Sequence, residues 1–170
     1  SVLITGGGSG IGEGIARHFC AAGARVTISG RRAGKIDDVA TSLGDNCRAV
    51  VGDITIAADR LAMVAAAAEH GHGRLDVLVN NAGNMYRGPL AELEEQQLMD
   101  VFNSNVIGAM MLSQAALRHL IDASGVIVFM GSVHSQRAFP GASPYAATKG
   151  ALETLTGVLA AELGPQGVRV

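Results

Sequence analysis

The stretch TGGGSGIGEG, residues 5–14, places six glycines in ten positions directly after the apolar run Val2-Leu3-Ile4. Glycine is normally kept where the backbone must bend sharply or approach another group closely. The stretch is therefore either a flexible turn or a cradle for a phosphate group. Its glycine spacing matches neither G-x-x-x-x-G-K-[ST] nor G-x-G-x-x-G, so the surrounding sequence has to decide between the two.

Composition limits the kind of protein. The chain has 170 residues, 48% of them apolar and 16% charged, with a net charge of -2, which predicts one globular domain over residues 1–170. Its scattered Lys and Arg residues argue against nucleic acid and favour a small-molecule ligand. We find neither a membrane-spanning apolar run nor a signal peptide, which predicts a cytoplasmic protein. The spacing of Cys and His residues predicts no metal site.

Five short runs rich in β-branched residues are predicted strands, separated by segments long enough for helices. In VLVN and VIVFM the apolar residues follow one another without alternation, which is typical of a parallel sheet covered on both faces. The repeated alternation predicts an α/β fold, a Rossmann-type doubly wound parallel sheet. The predicted strands are Val2 to Thr5, Arg25 to Ser29, Arg48 to Gly52, Asp76 to Asn80 and Val126 to Met130.

The position of the glycine stretch favours the phosphate cradle. It follows the first strand, and ligands of such sheets bind beyond the carboxyl ends of the strands. It also opens a predicted helix, Ile11 to Ala22, whose amino end attracts anions.

The two ends of the chain suggest a longer protein. The chain starts inside its first strand without an initiating Met, and GVRV after the helix Tyr145 to Leu163 begins another apolar run. We therefore expect the last strands of the sheet to be missing and the domain to be incomplete at its carboxyl end.

Four motifs occur in a fixed order. They are Thr5-Gly6-x-x-x-Gly10-x-Gly12, NNAG at residues 80–83, Ser132, and Tyr145-x-x-x-Lys149. In this order, the chain resembles the short-chain dehydrogenase/reductase family over essentially its whole length.

The resemblance implies the site residues. The implied catalytic residues are Ser132, Tyr145, Lys149 and Asn105, with Asn105 holding a water that links Lys149 to solvent. Thr5 and Asn80 are expected to be mainly structural. Asp53 is implied to receive the adenine amino group. The implied cofactor-binding residues are Gly6, Ser9, Gly10, Ile11, Gly12, Arg31, Arg32, Asp53, Ile54, Asn81, Ala82, Gly83, Tyr145 and Lys149.

The residue types support this chemistry. Tyr145 and Lys149 are four apart on a predicted helix and therefore share a face. A phenol is a poor base at neutral pH, and a nearby ammonium favours its anion. The alternative is a pair of solvated side chains, which Ser132 upstream argues against. A hydroxyl at Ser132 is suited to donate to a substrate carbonyl, and Ser135 is a weaker candidate because its spacing to Tyr145 is too short.

The residues at the end of the second strand, SGRR, indicate the cofactor. Gly30 stands where an acidic residue would bind a ribose 2′-hydroxyl, while Arg31 and Arg32 suit a 2′-phosphate. The alternative is a solvated turn. NADP(H) is therefore favoured, and NAD(H) is possible.

The helices around residues 98–121 and 145–163 carry apolar residues almost all round, and one sheet cannot cover every side. This predicts a homodimer or homotetramer through them. The segments after NNAG and between Ser132 and Tyr145 would face the substrate, without identifying it.

Together these features predict an oxidoreductase that interconverts a carbonyl and a secondary alcohol by hydride transfer, with Tyr145 as the general acid or base. Two alternatives stay open, a non-catalytic NAD(P)-binding regulator or scaffold and a dehydratase or epimerase of the same family.

Overall fold

Strands and helices alternate along the whole chain in the computed structural model, which describes residues 1–170. The five strands are β1 (Val2–Thr5), β2 (Val26–Gly30), β3 (Cys47–Val51), β4 (Val77–Asn80) and β5 (Val126–Phe129). The six α-helices are α1 (Gly10–Ala21), α2 (Ala33–Leu43), α3 (Ala57–His70), α4 (Glu95–Phe102), α5 (Gly108–Ala123) and α6 (Ser143–Leu163). No strand end differs from its predicted position by more than one residue.

All five strands pair in parallel in the order β3-β2-β1-β4-β5. The central strand β1 pairs on both sides, with Val2 opposite Val26 of β2 and Val77 of β4. The chain runs outward from β1 to β3 and then returns to the other side of β1 as β4. The strand order thus reverses between β1 and β4, and the predicted doubly wound parallel fold is confirmed.

The central strand β1 is covered on both faces, which explains its apolar sequence. On β1, Val2 and Ile4 point into a core formed with α1 and α2, whereas Leu3 points into the core formed with α3, α5 and α6. All three side chains are almost completely buried. Burial of one such side chain stabilises the fold by about 1.5–3 kcal/mol.

The helix predicted around residues 98–121 is interrupted. A π-helical turn, Asn103–Ile107, separates α4 from α5. A π turn contains one extra residue and is common at functional sites, and a pattern of apolar residues is too coarse to detect it. The turn buries Ser104 and Asn105.

The last residues run beside β5, as the predicted further strand requires. The Ile127 N–H donates to the Arg169 carbonyl at 2.8 Å, and the Arg169 N–H donates to the Gly125 carbonyl at 3.0 Å. None of the helices combines the length and apolar character needed to span a membrane.

Candidate active site

An open groove of about 300 Å³ lies at the carboxyl edge of the sheet, beyond the ends of β1 and β4. Its walls come from the glycine loop after β1, the end of β2, and the loops after β3 and β4. This is the place where parallel α/β sheets bind ligands, because the chain leaves neighbouring strands in opposite directions there.

The glycines of the opening stretch have different surroundings. Gly6 adopts φ +68° and lines the groove, and a Cβ on it would lie 3.1 Å from the Ala82 Cα. Gly8 also lines the groove, although it lies outside the motif positions and was not predicted to bind the cofactor. Gly12 is buried against the Gly6 carbonyl, and a Cβ on Gly7 would lie 2.6 Å from the Ile28 Cβ. Gly12, predicted to approach the cofactor, therefore lets α1 pack closely against the loop.

The amino end of α1 faces the same loop. Its N-cap residue, Ser9, makes no side-chain capping bond, and its Oγ accepts from Arg32 at 3.2 Å instead. The first-turn N–H groups lack a side-chain cap, which is the arrangement that binds anions. Ile11 in this turn is 66% exposed.

Positive charge collects at the end of β2. Arg31, Arg32 and Lys35 all line the groove, and Arg31 Nη1 lies 3.7 Å from Asp53 Oδ2. Burial alone would raise the pKa of Asp53. Hydrogen bonds from the backbone and hydroxyl of Thr55, with the Arg31 charge, outweigh it and lower the pKa.

The NNAG segment braces the two central strands. Thr5 Oγ1 accepts from the Asn81 N–H at 3.1 Å and the Ala82 N–H at 3.0 Å, while Asn81 Nδ2 donates to the Thr5 carbonyl at 2.9 Å. Asn80 Nδ2 donates to Ser113 Oγ on α5 at 3.0 Å. The contacts of Thr5 and Asn80 agree with the structural roles expected for them. Asn81, Ala82 and Gly83 line the groove.

The residues of the groove fit a nicotinamide dinucleotide. Ser29 lines it with a buried Oγ that has no hydrogen-bond partner, so a polar ligand group would satisfy it. The small residues of the glycine loop leave room for a diphosphate to lie close to the backbone. The N-terminus of α1 and the side chains of Arg31, Arg32 and Lys35 complement its negative charge. Such a group would be held by the glycine loop, the β2 end and Asp53.

Three of the predicted catalytic residues, Ser132, Tyr145 and Lys149, lie after β5 and on α6, and none of them is among the residues that line the groove. Lys149 is buried on α6, and its Nζ lies 5.5 Å from the centroid of the Tyr145 ring. Nζ donates to the Met130 carbonyl, just beyond β5, at 2.5 Å. Burial lowers the pKa of Lys149. Ser132 follows the same strand, so β5 and α6 together position all three residues.

Asn105 connects this cluster to the groove. It is 2% exposed, and its Nδ2 donates to the Asn84 carbonyl at 2.9 Å and to Thr148 Oγ1 at 3.1 Å. Its Oδ1 accepts from the Asn84 N–H at 2.7 Å. Both amide protons are thus used within the protein. The side chain thus holds protein segments together. The water expected at Asn105 from the resemblance stays a prediction.

Four neighbouring residues were not among the predicted site residues, although His134 lies in the segment expected to face the substrate. Thr148 is fully buried and donates to the Tyr145 carbonyl at 2.7 Å. His134 packs edge-on against Tyr145, with ring centroids 5.2 Å apart. Lys35 and Ser29 line the groove. Proximity in the sequence was the available signal, because Thr148 precedes Lys149, Ser29 and Lys35 flank the two arginines, and His134 lies two residues after Ser132.

Comparison with known proteins agrees with this geometry. The family model described as short chain dehydrogenase matches residues 1–170. The chain belongs to the short chain dehydrogenase family. The family predicted from the motifs is therefore confirmed, and with it an NAD(P)-dependent enzyme of the dehydrogenase and reductase type.

Two curated relatives in this family illustrate its reactions. Gluconate 5-dehydrogenase of Gluconobacter oxydans is 36% identical over 174 residues, covering 99% of this chain and 67% of the relative. L-xylulose reductase of Bos taurus is 40% identical over 170 residues, covering 99% of this chain and 67% of the relative. The chain thus spans about two thirds of these relatives' length.

Solved structures of the family superpose closely. The 3-ketoacyl-(acyl-carrier-protein) reductase from Brucella melitensis, complexed with NADH, has a TM-score of 0.96 at 35% identity, covering 99% of this chain and 71% of its own. A gluconate 5-dehydrogenase from Burkholderia cenocepacia J2315, in complex with NADP and tartrate, has a TM-score of 0.89 at 35% identity, covering 98% and 67%.

Proposed function

We propose that this short chain dehydrogenase interconverts a carbonyl and a secondary alcohol with NADP(H), using Tyr145 as general acid and base. The observation that supports this most directly is the buried Lys149 ammonium, 5.5 Å from the Tyr145 ring centroid. A lysine beside the tyrosine ring is the pairing that the proposed general acid and base role of Tyr145 requires.

A bound nicotinamide supplies the hydride for reduction and accepts it in oxidation. In reduction, Tyr145 gives its hydroxyl proton to the carbonyl oxygen while the hydride reaches the carbonyl carbon. In oxidation, the phenolate takes the proton of the alcohol. Ser132 donates a hydrogen bond to the same oxygen and stabilises the charge that develops on it. Thr148 and Asn105 connect the helical turn that carries Tyr145 to the loop after β4 through hydrogen bonds.

The preference for NADP(H) rests on Arg31, Arg32 and Lys35 at the end of β2, with Gly30 in place of an acidic residue. Guanidinium groups bind a 2′-phosphate through charge-assisted hydrogen bonds. Family members with NADH and with NADP bound are both known. Turnover with NADPH and NADH at matched low concentration tests the preference, and an advantage of about tenfold for NADH would overturn it.

The substrate is proposed only by class, a small carbonyl compound or secondary alcohol. The names of the relatives suggest L-xylulose and gluconate as first members of a substrate panel. Cofactor absorbance follows the reaction in each direction.

The deciding variant is Tyr145→Phe in the full protein. We expect loss of about 100-fold or more in kcat with unchanged NADPH binding, because the phenyl ring keeps its packing and lacks the proton. Near wild-type turnover would remove Tyr145 from this role. NADPH binding without turnover of any substrate by the wild type would favour a regulator. Conversion of substrate without net change in the cofactor would favour a dehydratase or epimerase.

We also propose a homodimer or homotetramer through the helices around residues 98–121 and 145–163. Large apolar side chains are exposed on this surface, namely Met99, Ile107, Met110, Met111 and Val158. A surface of this kind is expected to be covered by a second subunit. Met110→Asp should shift the full protein toward monomer in sedimentation velocity at micromolar concentration, while Leu61→Asp, at a more exposed apolar residue on α3, should not. A wild type that is monomeric throughout would contradict the proposal. The cytoplasmic location stays a prediction.

A further inference from the structure

His134 lies against two of the catalytic side chains. Its Nδ1 is 3.1 Å from Ser132 Oγ, and its ring packs between Phe139, at 4.3 Å between centroids, and Tyr145, at 5.2 Å. The Ser132 hydroxyl also accepts from the His134 backbone N–H at 3.2 Å. The orientation of that hydroxyl therefore depends on which ring nitrogen of His134 carries the proton.

The burial of the other ring nitrogen decides between the two tautomers. Nε2 of His134 is buried and has no hydrogen-bond partner. A proton there would be a buried donor without an acceptor, and orphaned buried donors are rare in folded proteins. An unprotonated Nε2 leaves an acceptor unfilled, which is tolerated more often than an orphaned buried donor. The proton therefore belongs on Nδ1, which then donates to Ser132 Oγ.

We infer that His134 is a positioning residue that fixes the Ser132 hydroxyl as a hydrogen-bond donor to substrate. A serine hydroxyl has one proton and two lone pairs. The backbone N–H and the Nδ1–H of His134 both donate to Ser132 Oγ and occupy its two lone pairs. The Ser132 hydroxyl proton is then free to donate to an acceptor other than His134. The reacting carbonyl oxygen is that acceptor. In the opposite tautomer Nδ1 carries no proton, and the Ser132 hydroxyl would donate its own proton to Nδ1.

The inference rests on the proposed function of Ser132, and a double-mutant cycle separates the two. The variants are His134→Phe, which keeps a ring between Phe139 and Tyr145 but lacks the donor, Ser132→Ala, and both together in the full protein. The readout is kcat/KM for L-xylulose or, if it reacts slowly, the fastest ketone of the panel. NADPH binding and circular dichroism check folding.

Ser132→Ala should lower kcat/KM about 100-fold and His134→Phe about tenfold, mainly in kcat. In the Ser132→Ala background, His134→Phe should change the rate less than about twofold, because its effect passes through the missing hydroxyl. His134→Asn, whose amide N–H can replace Nδ1–H, should recover the rate to within about threefold of wild type. His18→Phe, on the exposed side of α1, is the matched control and should have no effect.

Equal effects of His134→Phe in both backgrounds, or a faster enzyme, would overturn the inference while leaving Ser132 in its role. No loss from Ser132→Ala would overturn both. A readout independent of turnover is the long-range ¹H–¹⁵N spectrum of protein labelled at histidine, with His134→Phe used for assignment. The Nδ1–H pattern is expected at His134, and the Nε2–H pattern would overturn the inference.

Discussion

The side chain of Asn105 pairs with both backbone groups of Asn84. Its Oδ1 accepts from the Asn84 N–H at 2.7 Å, and its Nδ2 donates to the Asn84 carbonyl at 2.9 Å. The second Nδ2 proton reaches Thr148 on α6. One buried amide in the π turn thus joins the loop that ends the groove to the helix that carries Tyr145 and Lys149.

Asn105→Ala should therefore weaken both the fold and the reaction. It leaves the Asn84 N–H and carbonyl without their partner, and we expect the free energy of unfolding to fall by about 2 kcal/mol. It should also lower kcat more than it weakens NADPH binding, because the Tyr145 turn loses its link. Urea unfolding and steady-state kinetics measure the two effects.

The matched control is Asn103→Ala in the same π turn, a half-buried residue for which the structure shows no side-chain hydrogen bond. It should change the unfolding energy by much less. Equal losses from the two variants would show that the turn matters only as backbone.

Replacing Arg31 and Arg32 by Ala should change the cofactor preference. Each loss removes a cation from the proposed 2′-phosphate site, so Kd for NADPH should rise about tenfold per residue while Kd for NADH changes little. Arg118→Ala, on the exposed side of α5, is the control. Calorimetric titration of both cofactors measures the change, and parallel weakening for NADPH and NADH would assign the arginines to a shared part of the cofactor.

Lys149 should make the free energy of unfolding depend on pH in the alkaline range. Burial lowers its pKa in the folded protein, whereas the unfolded chain keeps a value near 10.4. Between these two values the unfolded chain binds more protons, so stability rises with pH across the window. Below the folded pKa, the buried ammonium opposes folding by a constant amount.

The measurement is the unfolding energy of wild type minus that of Lys149→Met, from pH 7 to about 10.4. Other groups cancel in the difference, which should increase with pH in the upper part of this range. A difference that falls with rising pH would mean that the folded protein favours the charged lysine.

Gly7→Ala and Gly14→Ala should have opposite effects on stability. A Cβ on Gly7 would lie 2.6 Å from the Ile28 Cβ, so the variant should lose about 1–3 kcal/mol through overpacking. At Gly14, within α1, nothing lies within 4 Å of an added Cβ. There alanine should gain about 0.5–1 kcal/mol, because it favours the helix more than glycine does. Thermal unfolding of the two variants decides, and equal shifts would refute the packing role of Gly7.

Local patterns predicted most of the architecture and much of the site. Short runs rich in β-branched residues located β1 to β5, and the spacing of Tyr145 and Lys149 placed them on one helical face. The π turn at Asn103–Ile107 was not predicted, because one extra residue in a turn barely disturbs the apolar pattern. The pairing of Asn105 with Asn84 was not predicted either, since it joins residues 21 positions apart.

The sequence by itself determined the order of strands and helices, the family and the residue types at the strand ends, because periodicity and motif spacing are properties of neighbouring residues. Tertiary structure decided how those residues are used. It separated Gly7 and Gly12, which pack against Ile28 and the Gly6 carbonyl, from Gly6 and Gly8, which face the groove. The physical reason is that packing contacts and hydrogen-bond partners come from distant segments of the chain, which become neighbours only when the sheet has assembled.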